Sequence, residues 1–271
     1  MDVILLGTGS PVPSPDRAGP ATLVRAGAVN LLFDCGRGVI MRLAGAAVPP
    51  PALTAVLLTH MHSDHVTDLN DVITTRWVMS PLPLPLQVFG PVGARALVDA
   101  TLAMLSFDVT YRIAHHADLN EPPKVEVTEL EPGDTFALGD VMVTAQATDH
   151  APVAPTLGYR IEHAGVVAAI AGDTVPCPGL DALCADADIY VQTVIREDLV
   201  RMVPNQRFKD ILDYHSTLAQ AGETANRNRV KTLMLTHYVP TMPKGREAEW
   251  RALAAARFDG EIVLGDDLTS V

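Results

Sequence analysis

Alternating and wholly apolar runs, punctuated by Gly and Pro, divide the chain into short elements. Val3–Leu6, Thr22–Arg25 and Leu31–Asp34 alternate in the manner of strands and predict a meander. Gly36–Leu43 has helical spacing, Pro49-Pro50-Pro51 breaks it, and Ala55–Leu58 reads as a fully buried strand. Leu69, Val72, Ile73 and Trp77 recur on one side of a helix over Val66–Met79, which the run Pro81-Leu82-Pro83-Leu84-Pro85 closes. A strand Gln87–Phe89 and a helix Ala94–Leu105 follow, and Phe107–Pro123 reads as irregular.

The second half repeats this order. Strands are predicted at Val125–Leu130, Val141–Thr148, Gly158–Glu162 and Val166–Ile170, the last two joined by the turn His163-Ala164-Gly165. Helix and strand then alternate: Gly179–Ala185, Ile189–Thr193, Thr217–Asn228, Thr232–Leu235, Arg246–Ala256 and Glu261–Leu264. No linker or composition shift separates the halves. The expectation is one domain over 1–271, an α/β sandwich of two mixed sheets facing each other with helices on the outer faces.

Composition narrows the function. A hydrophobic content of 48% supports a sizeable core. No apolar run approaches the roughly 20 residues of a membrane span, and the N-terminus lacks the pattern of a signal peptide, so a cytoplasmic protein is expected. Cys35, Cys177 and Cys184 have no metal or redox spacing and read as packing residues. The formal charge of -12 argues against a broad polyanion-binding face, although bound divalent ions invert the potential inside a cleft.

The chemistry gathers in Thr59-His60-Met61-His62-Ser63-Asp64-His65, between a strand and a helix. His60 and His62, two apart in extended chain, project to one side and can bind one ion; Asp64 and His65, at the helix mouth, can turn toward a second. Imidazole with carboxylate is a ligand set that zinc accepts. Further ligands are expected at strand ends, and His150, Asp173 and His237 each follow an apolar run. His215, ahead of Ser216-Thr217 at a helix start, is not needed to complete either set and is a candidate general acid. Asp34 also ends a strand, where it can form a turn.

Together these motifs resemble the metallo-β-lactamase superfamily, whose fold is the αββα sandwich. Within it, Leu6-Gly7-Thr8-Gly9-Ser10, Phe33-Asp34-Cys35-Gly36, Gly172-Asp173-Thr174-Val175-Pro176-Cys177 and His215-Ser216-Thr217 followed by Leu235-Thr236-His237 resemble the ribonuclease Z branch, particularly its short actinobacterial members. The glycine motif is no dinucleotide loop, since Pro11 and Pro13 stand where its helix would begin.

The resemblance implies two zinc ions per subunit, with manganese or iron as alternatives. His60, His62 and His150 would hold one, Asp64, His65 and His237 the other, and Asp173 both. It also implies a catalytic role for Asp64 in orienting or deprotonating the nucleophile, a hydroxide generated from a shared water whose pKa falls toward ~7. The implied reaction is endonucleolytic 3′-end processing of precursor tRNA by a homodimer.

Two departures stand against that substrate. Gln192-Thr193 occupies the place of the family's His-Glu pair, whose carboxylate positions the acid histidine, which predicts slower or differently pH-dependent cleavage. The stretch Ala151–Gly172 is too short for the arm with which family members grip tRNA. The alternative is a small-molecule hydrolase of phosphodiesters, aryl sulfates or lactones, related to the arylsulfatase-like branch through Arg17-Ala18-Gly19-Pro20, Asp34-Cys35-Gly36-Arg37-Gly38 and Gly158-Tyr159-Arg160. His115, His116 and His163 read as surface histidines. Arg76, Trp77, Arg196, Arg201, Arg207 and Lys209 are candidate substrate contacts.

Overall fold

The computed structural model describes residues 1–271. Six strands form the first sheet in chain order: β1 (Asp2–Gly7), β2 (Ala21–Ala26), β3 (Val29–Phe33), β4 (Ala55–Leu57), β5 (Leu86–Pro91) and β6 (Val125–Leu130). β1, β2 and β3 pair antiparallel, and β3 to β6 pair parallel. Seven strands form the second: β7 (Thr135–Leu138), β8 (Val141–Ala147), β9 (Leu157–His163), β10 (Val166–Ile170), β11 (Ile189–Ile195), β12 (Thr232–Val239) and β13 (Glu261–Leu264). Here too an antiparallel meander, β7 to β10, gives way to parallel pairing from β10 to β13. Each parallel step needs a crossover, and helices supply most of them.

The helices are α1 (Val39–Gly45), α2 (Ser63–Val66), α3 (Leu69–Met79), α4 (Ala94–Met104), α5 (Ser106–His115), α6 (Pro178–Cys184), α7 (Glu197–Met202), α8 (Gln206–Asp210), α9 (Leu218–Arg227) and α10 (Glu247–Ala255). None is long and apolar enough to cross a membrane.

Strand alternation sorts the core into layers. Val3, Leu5, Leu31, Phe33 and Leu57 of the first sheet meet Val143, Tyr159, Ile161, Ile170 and Val191 of the second. Phe33 and Tyr159 lie 5.6 Å apart between ring centroids, a tilted contact worth ~0.5–1.5 kcal/mol beyond its burial. Leu6, Leu23, Leu32 and Val56 face Val39, Leu43, Val72 and Ile73 on the first outer side. Tyr190, Val194, Leu233 and Leu235 face Leu183, Leu218, Ala225 and Trp250 on the second. The αββα layering read from the pattern is thus present, as are its two mixed sheets.

Several elements differ from the pattern. Ser106–His115 is a helix, not an irregular stretch; it buries no residue, and its apolar positions Phe107, Val109, Tyr111 and Ile113 recur every second residue, which masks the helical period. β7 is a short edge strand with one buried residue, Leu138. α7 and α8 lie in what reads as a basic loop. The helix expected over Val66–Met79 is split at Thr67-Asp68. β12 continues past Leu235 to Val239, placing His237 inside it.

Candidate metal centre

The site forms where β3, β4, β10 and β12 end or bend, at the carboxyl ends of parallel strands where open α/β sheets place their ligands. Chain turns there aim short polar side chains into one cleft. Asp34 follows β3 and His237 interrupts β12, both with left-handed backbone at φ 60 and φ 49. Thr236 pairs with Thr193 and Tyr238 with Val194, so His237 is the extra residue of a bulge that turns its ring inward. Such backbone costs about 1–3 kcal/mol per residue and persists only where the surroundings enforce it.

All eight candidate residues converge. His60 Nε2 lies 3.1 Å from His62 Nδ1, and His150 Nε2 lies 3.2 Å from the same atom. Asp173 Oδ2 is 4.0 Å from His60 Nε2 and 3.9 Å from His150 Nε2. In the second group, Asp64 Oδ2 is 3.2 Å from His237 Nε2 and 3.8 Å from His65 Nε2. Asp173 Oδ2 is 3.5 Å from His65 Nε2 and 3.6 Å from His237 Nε2. Donors about 2.0–2.1 Å from a tetrahedral ion stand roughly 3.3 Å apart, so both groups have the size of an ion's first shell. His65 Nε2 and Asp173 Oδ1 are buried without a hydrogen-bond partner, which is costly unless something else satisfies them. The donor set and these orphaned atoms fit two divalent ions sharing Asp173.

Outer contacts fix most of the rings. Asp34 accepts from Thr59 N–H at 2.8 Å, from the Thr59 hydroxyl at 2.8 Å and from His65 Nδ1–H at 2.7 Å. Asp34 therefore both turns the chain and supports a ligand. His150 Nδ1 donates to the Tyr214 carbonyl at 2.8 Å, whereas His237 Nδ1 is buried with no partner. Asp173 is held through its neighbour: Thr174 O accepts from the Ser216 amide and hydroxyl, and Thr174 Oγ1 accepts from Asp149 N–H. A capping box between Thr217 and Gln220 starts α9 right after this strap and so fixes His215.

Burial pushes the imidazoles of His60, His62 and His150 down, His150 to about 4. Burial acts against His65 and His237 as well, but Asp173 with Asp34, and Asp173 with Asp64, outweigh it and raise both. Burial opposes the charge of Asp173 and Asp64 too, yet the surrounding histidines hold both carboxyls low. Among the eight, only His62 is not buried, so the cleft opens on its side.

His215 lies between the groups with Nε2 3.2 Å from Asp173 Oδ2 and Nδ1 2.9 Å from the Ile211 carbonyl. A backbone carbonyl thus stands against the ring where the resemblance implies a carboxylate. Gln192 is fully buried and turned away: its amide accepts from the Tyr190 hydroxyl and donates to the Thr193 carbonyl at 2.8 Å. Thr193 instead donates to the Gly172 carbonyl at 3.1 Å, just ahead of Asp173.

A Beta-lactamase superfamily domain model matches residues 29–238. Proteins named ribonuclease Z from Mycolicibacterium paratuberculosis and Mycobacterium bovis are 54% and 53% identical, each alignment covering 100% of this chain and 98% of the relative. The chain belongs to the ribonuclease Z family. It is a metal-dependent hydrolase. The short form of human tRNase Z superposes with a TM-score of 0.74 at 25% identity, covering 100% of this chain and 98% of that one. A metallo-β-lactamase-fold protein from Bacillus subtilis, YhfI, reaches 0.77 at 20% identity over 100% and 98%, a likeness of fold.

Other candidates resolve differently. Arg76 does not face a substrate: it is buried, and its guanidinium donates to the carbonyls of Pro50, Pro51, Leu53, Leu84 and Pro85, clamping two proline-rich turns. Trp77 donates to the Glu121 carbonyl. Arg196 is taken by a bidentate pair with Asp198, and Arg201 pairs with Glu197. His115 and His116 are exposed, while His163 is half-buried against Asp140. Cys35 and Cys184 are buried, Cys177 half-buried, and all three are free. Thr59 opens the His-rich run without a role that its residue type announces, and the carbonyls of Ile211 and Tyr214 carry no signal in the sequence.

Proposed function

We propose that the chain is a zinc phosphodiesterase of one domain, residues 1–271, that cleaves precursor tRNA on the 3′ side of the acceptor stem. The observation that carries the reading is Asp173 Oδ2, which lies within 4.0 Å of imidazole nitrogens from both ligand groups and of His215. His60, His62 and His150 would hold one zinc, Asp64, His65 and His237 the other, and Asp173 both. Bound there, two zinc ions supply a water acidified toward neutral pH and positive charge for the scissile phosphate.

The residues supply direction and protons. Asp64, whose carboxyl His237 and His65 hold low against its burial, would orient or deprotonate the attacking water. Both ring nitrogens of His215 face acceptors, Nδ1 the Ile211 carbonyl and Nε2 the Asp173 carboxylate, so either can donate a proton it carries. The proton on Nε2 is the one available to the leaving 3′ oxygen, and the Ile211 carbonyl keeps the ring aimed after it has gone. Two backbone carbonyls, of Ile211 and Tyr214, thereby orient the acid and one ligand.

The net charge of -12 and the short Ala151–Gly172 stretch favour a second reading, a hydrolase of small phosphodiesters, aryl sulfates or lactones with the same centre. The test is to incubate the zinc-loaded protein with precursor tRNA bearing a 3′ trailer and, separately, with panels of those esters. Release of the intact trailer supports the leading reading. Rapid turnover of one small ester without tRNA cleavage replaces it. A cytoplasmic homodimer is the proposed working form; exposed Met104, Phe107 and Tyr111 supply apolar surface for a second copy, and sedimentation measures the assembly.

A further inference from the structure

We infer that Thr59 is a positioning residue that couples the two ion sites to one carboxylate, Asp34. The inference rests on the two-ion reading above and concerns a residue that supplies no ligand atom.

The argument is one of proton counting. The Thr59 hydroxyl lies 2.8 Å from Asp34 Oδ2 and 3.0 Å from His60 Nδ1. An ionised carboxylate only accepts, so the single hydroxyl proton goes to Asp34. The hydroxyl oxygen is then an acceptor, and His60 must carry its proton on Nδ1. That tautomer leaves the lone pair on His60 Nε2, the atom that faces His62 and Asp173. The same Asp34 oxygen takes the Nδ1 proton of His65 at 2.7 Å, which frees His65 Nε2 for the second group. One chain of hydrogen bonds, from His60 through Thr59 and Asp34 to His65, therefore sets the donor atom presented to each ion. Asp34 acts on the second ion directly and on the first through Thr59.

The hydroxyl is held rigidly enough for this work. Thr59 is 1% exposed. Its amide is bound to Asp34 Oδ1, and its carbonyl accepts from Leu157 of the opposite sheet at 2.9 Å. Gly172 packs so closely that a Cβ there would stand 2.8 Å from Thr59 Cβ. The glycine before Asp173 makes room for this side chain and for no larger one.

Thr59→Val replaces the hydroxyl by a methyl of similar size, and Thr59→Ser retains it. Zinc affinities of wild type and both variants are measured by competition with a chromophoric chelator. The hydrogen-bonded Nδ1 protons of His60 and His65 are followed by NMR in the zinc-loaded proteins, with circular dichroism to verify folding. Thr59→Val is expected to weaken both ions by ~10–100-fold, the usual loss of an outer partner, and to abolish the His60 Nδ1 proton signal, whereas Thr59→Ser restores both. A valine variant weakened at one ion only, or a serine variant no better than valine, overturns the coupling and leaves the centre standing. A folded wild type that takes up fewer than two ions overturns the two-ion reading itself.

Discussion

The two halves of the centre share Asp173 but are prepared for an ion in opposite ways. His60, His62 and His150 are three imidazoles that burial drives toward the neutral form, with His150 pushed down to about 4. His65 and His237 are buried too, but they sit among Asp34, Asp64 and Asp173, which raise both rings and favour their protonated form. The first half is a set of free lone pairs. The second is a set of imidazoles that neighbouring carboxylates bias toward the protonated form, so an incoming cation competes with protons there. The supports differ as well: His60, His65 and His150 each have a partner for the second nitrogen, and His237 has none.

The largest expected effect comes from removing what the halves share. Asp173→Asn leaves both without their common carboxylate, and zinc content and activity should fall together, by more than the ~10–100-fold typical of an outer partner. Retention of two zinc ions on metal analysis would break the description of Asp173 as their common ligand. His215→Ala should lower kcat by roughly 10²–10⁴-fold, the usual contribution of a general acid, with both zincs retained. Asp173, His215 and His237 also converge within 4.8 Å, so loss of one zinc in that variant would make His215 a ligand instead.

Single-site changes sharpen the contrast. His62→Ala and His237→Ala should each cost one zinc with the other retained, measured as stoichiometry after dialysis. Acidity separates the halves without mutation. The carboxylates around His65 and His237 raise both rings against their burial, so affinity for the second ion should climb as pH rises through their raised range and should be lost first as pH falls. Affinity for the first ion should stay nearly flat across neutrality, because its histidines are already deprotonated there. Parallel pH profiles for the two binding steps would refute the comparison. Arg76→Ala is the control outside both halves: it should cost about 3 kcal/mol of stability in denaturant, through carbonyls left unpaired, with kcat of the folded enzyme unchanged.

What was legible along the chain follows from which signals are local. His60–His65 was readable because three imidazoles and a carboxylate crowd into six residues where a strand ends, and such crowding seldom serves packing. His150, Asp173 and His237 were readable as polar residues closing apolar strands. Arg76 was misread because a cation on a helix next to the metal run resembles a substrate contact. Only the fold brings Pro50 and Pro85 around it. α5 is not legible because Phe107, Val109, Tyr111 and Ile113 alternate with polar residues, a period that competes with the helical one, and the helix buries none of them to mark its face.

The sequence by itself determined the layers and the list of candidate ligands, because burial periodicity and ligand chemistry are properties of residue types. The tertiary structure alone decided which nitrogen each ring presents, that Asp173 stands at the common point, and that His215 is held by the Ile211 carbonyl. These depend on backbone groups that every residue carries and on distances between strands far apart in the chain. His237 shows both sides: its type marks it as a ligand, but only the bulge against β11 turns it into the cleft.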